Sequence, residues 1–218
     1  MKTKVLYIAL ALMLTSSLAS AQGFSVLGGV NFQNINGNYS NGDKMDNDLI
    51  VGFHAGVNMQ IPLVPEFYFQ PGLMFSTKGA KATEGVITSK YSLSYLELPL
   101  NLVYKGALGN GHILLGFGPY IAYAISGKAK HEGGDLSFTS DIEFTNTVDA
   151  GDPLETTYFK ALDAGGNIFA GYEMASGLFF QMNTQLGMLN INPEDNRFST
   201  EGATAKNTGY GFSVGYRL

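Results

Sequence analysis

Apolar residues return at every second position in one segment after another, from Phe24 to Leu218. Leu49, Val51, Phe53, Ala55, Val57, Met59 and Ile61 alternate with Ile50, Gly52, His54, Gly56, Asn58 and Gln60. Period two over such a length is the signature of a strand with unlike faces, since successive side chains point to opposite sides. Phe24–Phe32, Phe67–Ser76, Tyr91–Tyr104, Ile113–Ile125, Leu162–Glu173, Leu178–Met188 and Gly209–Leu218 repeat the pattern, which gives about eight strands. Each runs to roughly 10–16 residues, longer than the ~5–6 of soluble sheets and long enough to cross a bilayer at a tilt. In the fourth, the apolar face passes from Tyr91, Leu93 and Tyr95 to Leu96, Leu98 and Leu100, which predicts a β-bulge near Tyr95–Leu96. Pro99 and Pro119 lie inside strands and each removes a ladder hydrogen bond, so a local break is expected there.

The connections decide what kind of sheet this is. Pro62–Glu66, Gly106–Gly111 and Met174–Gly177 are tight, whereas Asn34–Asp48, Lys78–Lys90, Gly127–Thr157 and Asn192–Lys206 are long, and the two kinds alternate. Tight periplasmic turns and long outer loops give this order in an eight-stranded antiparallel up-and-down transmembrane β-barrel, with both termini on the periplasmic side. A soluble ligand-carrying barrel is the rival, but it fills its interior with apolar residues. Here the face opposite the hydrophobic one carries Gly, Asn, Gln, Ser and isolated charges. Tyr104, Tyr172 and Tyr216 fall near periplasmic strand ends, and Phe32, Phe75, Tyr91 and Tyr210 near outer ends, as two interfacial girdles would.

Composition fits that reading. Charged residues make up 14% of the chain against about 25% in a typical soluble domain, and glycine supplies 28 positions. With no cysteine there is no disulfide, thiol chemistry, cysteine-held metal or lipoprotein anchor. A formal net charge of −5 argues against nucleic acid as a partner.

Residues 1–21 read as a signal peptide: Lys2 and Lys4 precede an apolar Val5–Leu14, and Ala19-Ser20-Ala21 offers a small-residue site with cleavage after Ala21. The apolar stretch is too short to cross about 30 Å of hydrocarbon comfortably. The barrel domain then occupies 22–218 in the cell outer membrane, and lipids are its first partners. Other envelope proteins are further candidates; the chain is expected to be a monomer.

Inward-facing His54, Glu97, Asp163, Glu173 and Arg217 are the candidate site residues. An eight-stranded barrel is only wide enough to be filled by side chains, so these groups must pair with one another. The expected arrangement is a structural ion-pair network that includes Glu97 and Arg217; a proton or ion path is the functional alternative. A hydrolase would need a base, and only His54, His112 and His131 offer an imidazole, with Ser76 a conceivable partner of His54. No nucleophile-elbow motif accompanies them, and no catalytic residue, cofactor or metal ligand is assigned. The 127–157 segment carries seven carboxylates (Glu132, Asp135, Asp141, Glu143, Asp149, Asp152 and Glu155) without EF-hand spacing, and reads as a solvated acidic loop.

Specific motifs add a resemblance. Gly28-Gly29-Val30-Asn31-Phe32, Gly52-Phe53-His54-Ala55-Gly56, Tyr95-Leu96-Glu97-Leu98-Pro99-Leu100 and Gly116-Phe117-Gly118-Pro119-Tyr120 resemble the PorT-like outer-membrane β-barrel family of Bacteroidetes. Asp163 with Gly165-Gly166, and Gly171-Tyr172-Glu173, fit the same pattern. The resemblance covers the mature chain and implies fold and location. It leaves three roles to weigh: a structural or interaction role, an accessory of protein secretion, and a lipid-modifying enzyme.

Overall fold

The computed structural model describes residues 23–134, 136–197 and 202–218, so the signal-peptide expectation for residues 1–21 lies outside the described residues. Eight long strands form the wall: β1 (Gly23–Asn38), β2 (Ile50–Val64), β3 (Phe67–Glu84), β4 (Ile87–Leu108), β5 (Gly111–Gly133), β6 (Leu162–Glu173), β7 (Leu178–Gly187) and β8 (Thr204–Arg217). Each pairs antiparallel with its chain neighbours. β8 closes the ring on β1, from Ser25 opposite Arg217 to Asn38 opposite Thr204. The fold is thus all-β, an eight-stranded antiparallel up-and-down barrel. No helix among the described residues is long and apolar enough to cross a membrane.

Alternation along the strands sorts the side chains as the sequence demands. Val51 and Phe53 on β2 and Phe117 and Ile121 on β5 point outward, with Val51 67% and Phe117 59% exposed, while His54, Asn58 and Tyr120 are buried inside. An apolar outer wall of this extent is unstable in water and at home in hydrocarbon. Aromatic pairs mark its two rims: Phe67 with Tyr104 (5.3 Å) at the end with tight turns, and Phe32 with Tyr210 (5.2 Å) at the other.

The strand ends depart from expectation on the outer side. Lys78–Lys90 is not a loop; β3 and β4 run on to a tight turn at Gly85 and Val86. β5 follows them to Gly133, and Leu136–Phe144 adds a further antiparallel strand on its edge. Together these ends make a sheet raised above the barrel. Beside it, Glu194–Asp195 pairs in parallel with Thr147–Val148 and Thr157–Phe159 with Ile142–Phe144, so the two longest connections fold into a cap.

The bulge falls at the expected height, between Ser94 and Tyr95, but on the partner strand. Ser94 faces Ser126 and Tyr95 faces Ala124, so the extra residue, Ile125, belongs to β5. β4 keeps its phase: Leu93, Tyr95 and Glu97 are all buried, on one inward face. Tyr91, expected in the outer girdle, also faces the cap and packs edge-on against Phe159 at 5.8 Å. The apolar pattern changed sides in the sequence because the barrel interior itself becomes apolar at this height. At Pro99 the expected ladder break is present, with pairing lost between Pro99–Tyr120 and Leu102–Phe117.

Apolar and polar layers therefore alternate along the lumen. Ile35, Ala80, Leu93, Tyr95, Tyr120, Ala122, Ile142, Phe159 and Ile191 form an apolar plug under the cap. Leu27, Val103, Leu114, Phe169 and Phe179 form a second apolar layer towards the tight turns. Polar side chains occupy the space between.

Candidate site in the barrel lumen

Lys78 is the centre of the polar layer, although the sequence pattern assigned it to a loop. Its ammonium lies 2.8 Å from Glu97 Oε1 and 3.1 Å from Asp163 Oδ2, and all three side chains are at most 3% exposed. The alternation of β3, β4 and β6 directs these groups inward, and the rings of Tyr120 and Tyr95 lie 4.3 Å and 5.2 Å from the same ammonium. Around them the Asn207 amide donates to Asp163 at 3.0 Å and to the Tyr95 hydroxyl at 3.2 Å, and Tyr120 donates its hydroxyl proton to Asp163 at 3.3 Å. Gln185 donates to Glu97 Oε2 at 2.9 Å. Charges buried at this depth persist only when paired and hydrogen-bonded, which is the condition met here.

Arg217 is not part of that cluster, and the expected network joining Glu97 to Arg217 is replaced by two. Near the tight turns Glu173 accepts from Lys105 at 2.5 Å and from Arg217 Nε at 2.9 Å. Arg217 also donates to Gly23 O at 3.0 Å and stacks over Phe179. The apolar layer of Leu27, Val103, Leu114, Phe169 and Phe179 lies between the clusters and separates them. Sequence reading missed both lysines. Lys105 sat at the end of an apolar run, and only its odd-numbered phase with Glu97 marked it as inward.

His54 is in the polar layer, as expected, but its partner is not Ser76. Its Nδ1 bonds to Asn31 Oδ1, and its Nε2 lies 2.6 Å from Ser213 Oγ. Asn31 Nδ2 in turn donates to Ser76 Oγ at 3.1 Å, and Asn183 Nδ2 donates to Ser213 Oγ at 3.0 Å. Ser213, His54 and Asn31 thus have the connectivity of a nucleophile, base and orienting amide. What they lack is room. The cavity they line measures about 70 Å³, shared with Glu97, Asn167, Asn183 and Gln185. That suits a few water molecules and not an acyl substrate. Other inward amides bond across strands, Asn167 donating to Asn101 at 2.7 Å and Gln60 to Gln70 at 3.0 Å, while Asn167 Oδ1 and Gln33 Oε1 are buried without a hydrogen-bond partner.

His112 and His131 join no such constellation. His112 is beside the tight turn after β4, and His131 stacks on Phe138 in the raised sheet at 4.8 Å while bonding Ser89. The acidic segment forms no group of three His, Cys, Asp or Glu side chains suited to a metal ion among the described residues. In the cap, Asp195 pairs with Arg197 at 2.7 Å, and Asn196 reaches Asp149 at 3.1 Å.

No curated protein matches the chain. Among solved structures it is similar to Ail, the attachment invasion locus protein of Yersinia pestis, at 11% identity and a TM-score of 0.38, over 90% of this chain and 99% of that one. A second structure of Ail, in complex with the heparin analogue sucrose octasulfate, aligns at 13% identity and a TM-score of 0.37 over the same shares. Residues 19–196 match the model of the outer membrane protein beta-barrel domain. That span takes in most of the chain, and with its closed ring of strands and apolar outer wall this protein belongs to the outer-membrane β-barrel domain family and resides in the outer membrane.

Proposed function

We propose that this protein is a monomeric, non-catalytic barrel that anchors a rigid interaction surface at the outer face of the outer membrane, after export and cleavage behind Ala21. The observation that carries the reading is the contrast between its two ends. At one end the turns are short: two residues at Pro65–Glu66 and Gly109–Asn110 and four at Met174–Gly177. At the other, β3, β4 and β5 extend into the raised sheet, and the cap is ordered by strand pairing and the Arg197–Asp195 ion pair. Order above the membrane costs backbone entropy of ~1–2 kcal/mol per residue, which a loop of no use would leave unspent. The filled lumen supports a role outside the barrel, and the 70 Å³ cavity offers a substrate no room. The motif resemblance carries the proposal further, to the PorT-like family of Bacteroidetes. A secretion accessory working through the periplasmic turns is the alternative, and nothing in the turns favours it.

The absence of native cysteine makes the test clean. Ser137→Cys places a thiol on the raised sheet and Asn110→Cys one in a tight turn. In intact cells a membrane-impermeant maleimide is expected to label the first and spare the second. A photo-crosslinker attached at each site then asks where partners bind. Capture from residue 137 is the expected result; capture from residue 110 alone would favour the secretion reading.

A further inference from the structure

On the outward face of the raised sheet, three lysines stand directly opposite one another on three neighbouring strands. Lys81 of β3 is in register with Lys90 of β4, and Lys90 with Lys130 of β5. Lys128, two residues below Lys130 on the same face, is opposite Ser92. Directly opposed residues have Cβ atoms ~4.5–5.5 Å apart, and like charges so placed destabilise a sheet. Among the described residues, carboxylates pair only with the ends of the row. Asp48 pairs with Lys81 at 3.1 Å, Glu132 with Lys130 at 2.6 Å, and Asp141 and Glu143 lie beyond on the flanking strand. Asp141 is in register with Lys128 but forms no ion pair with it, and Lys90 has none, among the described residues. The field of the row is felt by Glu132, whose carboxyl is held below its usual range by its bond to Lys130 and by the charges of Lys130 and Lys90.

Height on the barrel gives the row its meaning. The lysines continue the lipid-facing side of their strands: Leu73 and Phe75 below Lys81, Leu96 and Leu98 below Lys90, Tyr123 and Ile125 below Lys128. Between the apolar band and the lysines comes a belt of hydroxyls, Thr77, Ser92, Ser94 and Ser126. At ~3.4 Å per residue, Lys128 stands about 10 Å along the strand above Ile125, and Lys90 about 20 Å above Leu96, less once strand tilt is counted. Apolar, hydroxyl and cationic layers in that order match acyl chains, sugar or glycerol, and phosphate in a lipid leaflet. Long lysine stems can bring their heads down to that level.

We propose that Lys81, Lys90, Lys128 and Lys130 form a binding site for the phosphorylated headgroup of an outer-leaflet lipid, held against the raised sheet with its chains on the apolar wall below. The ligand supplies an anion for Lys90 and Lys128, which form no ion pair among the described residues. This rests on the outer-membrane location but not on any protein partner, so it can fail while the interaction surface stands.

Native mass spectrometry of the detergent-solubilised full-length mature barrel tests it, with bisphosphorylated lipid A as probe. The wild type is expected to retain lipid A in preference to phosphatidylcholine and to dephosphorylated lipid A. Lys90→Gln and Lys128→Gln should each lower retention about five-fold, the size expected for one basic residue at an anionic surface. Lys206→Gln, on β8 across the barrel, should leave it unchanged. Equal retention of the dephosphorylated lipid, or no loss in either variant, would overturn the proposal. So would displacement of lipid A by an equal concentration of inorganic phosphate, which would make the row a site for the free anion.

Discussion

Lys78 shows how much a single side chain decides in this lumen. Among the described residues its ammonium is the one cation paired with both Glu97 and Asp163, and the three groups are sealed from solvent. Removing it leaves two carboxylates facing each other in a medium that solvates neither, a loss of about 3–5 kcal/mol for a broken buried pair. Lys78→Met should therefore lower the midpoint of urea unfolding in micelles strongly. The triple change Lys78→Met, Glu97→Gln, Asp163→Asn should recover most of the loss, because no unpaired charge remains. If the triple variant were as unstable as the single one, lost packing and not charge would be the cause. This residue was also the hardest to read in the sequence. Glu97, Asp163, Glu173 and Arg217 stood out as charges interrupting an otherwise uncharged inward face, whereas Lys78 lay beyond Ser76, where the apolar alternation of β3 stops and a strand looks like a loop.

At the level of strands, the aromatic residues that close the lumen are seated on glycines of the neighbouring strand. Phe169 of β6 is opposite Gly116 of β5, and Phe179 of β7 opposite Gly215 of β8. A Cβ on Gly116 or Gly215 would fall 2.2 Å from the facing ring, so each ring lies flat where a side chain would stand. Gly215→Ala should displace Phe179 and weaken the barrel by about 1–3 kcal/mol, the usual cost of overpacking. Loss of heat-modifiable mobility on gels at a lower temperature would report it; an unchanged melting temperature would show that Phe179 has another seat. The pairing of a glycine with a facing aromatic was present in the sequence only as an abundance of both. Strand identity was legible there because each strand has an apolar outer face along its membrane-crossing part. The raised ends were not, because both of their faces meet water or the cap and the period-two contrast fades.

For the molecule as a whole, the lumen is charge-balanced but divided. Lys78, Lys105 and Arg217 match Glu97, Asp163 and Glu173 in number, yet one cluster holds a cation between two carboxylates and the other a carboxylate between two cations. The layer of Leu27, Val103, Leu114, Phe169 and Phe179 keeps them apart, and the plug containing Tyr95, Tyr120 and Phe159 closes the side towards the cap. An ion crossing the barrel would have to pass two apolar seals, and each alone is a barrier because nothing in it replaces the hydration shell. The wild type is expected to show no stable conductance in planar bilayers. Phe169→Ala with Phe179→Ala should open only the periplasmic seal, and Tyr95→Ala with Tyr120→Ala only the other, so both pairs remain silent. Conductance should emerge when all four are combined in a barrel that still migrates as folded on gels. Steps from either double variant would show that one seal suffices to close the lumen, and steps from the wild type would make the barrel a pore. On this expectation the two layers act as serial closures, and the polar groups between them, Ser213, His54 and Asn31 included, line a cavity of about 70 Å³ with room for a few waters.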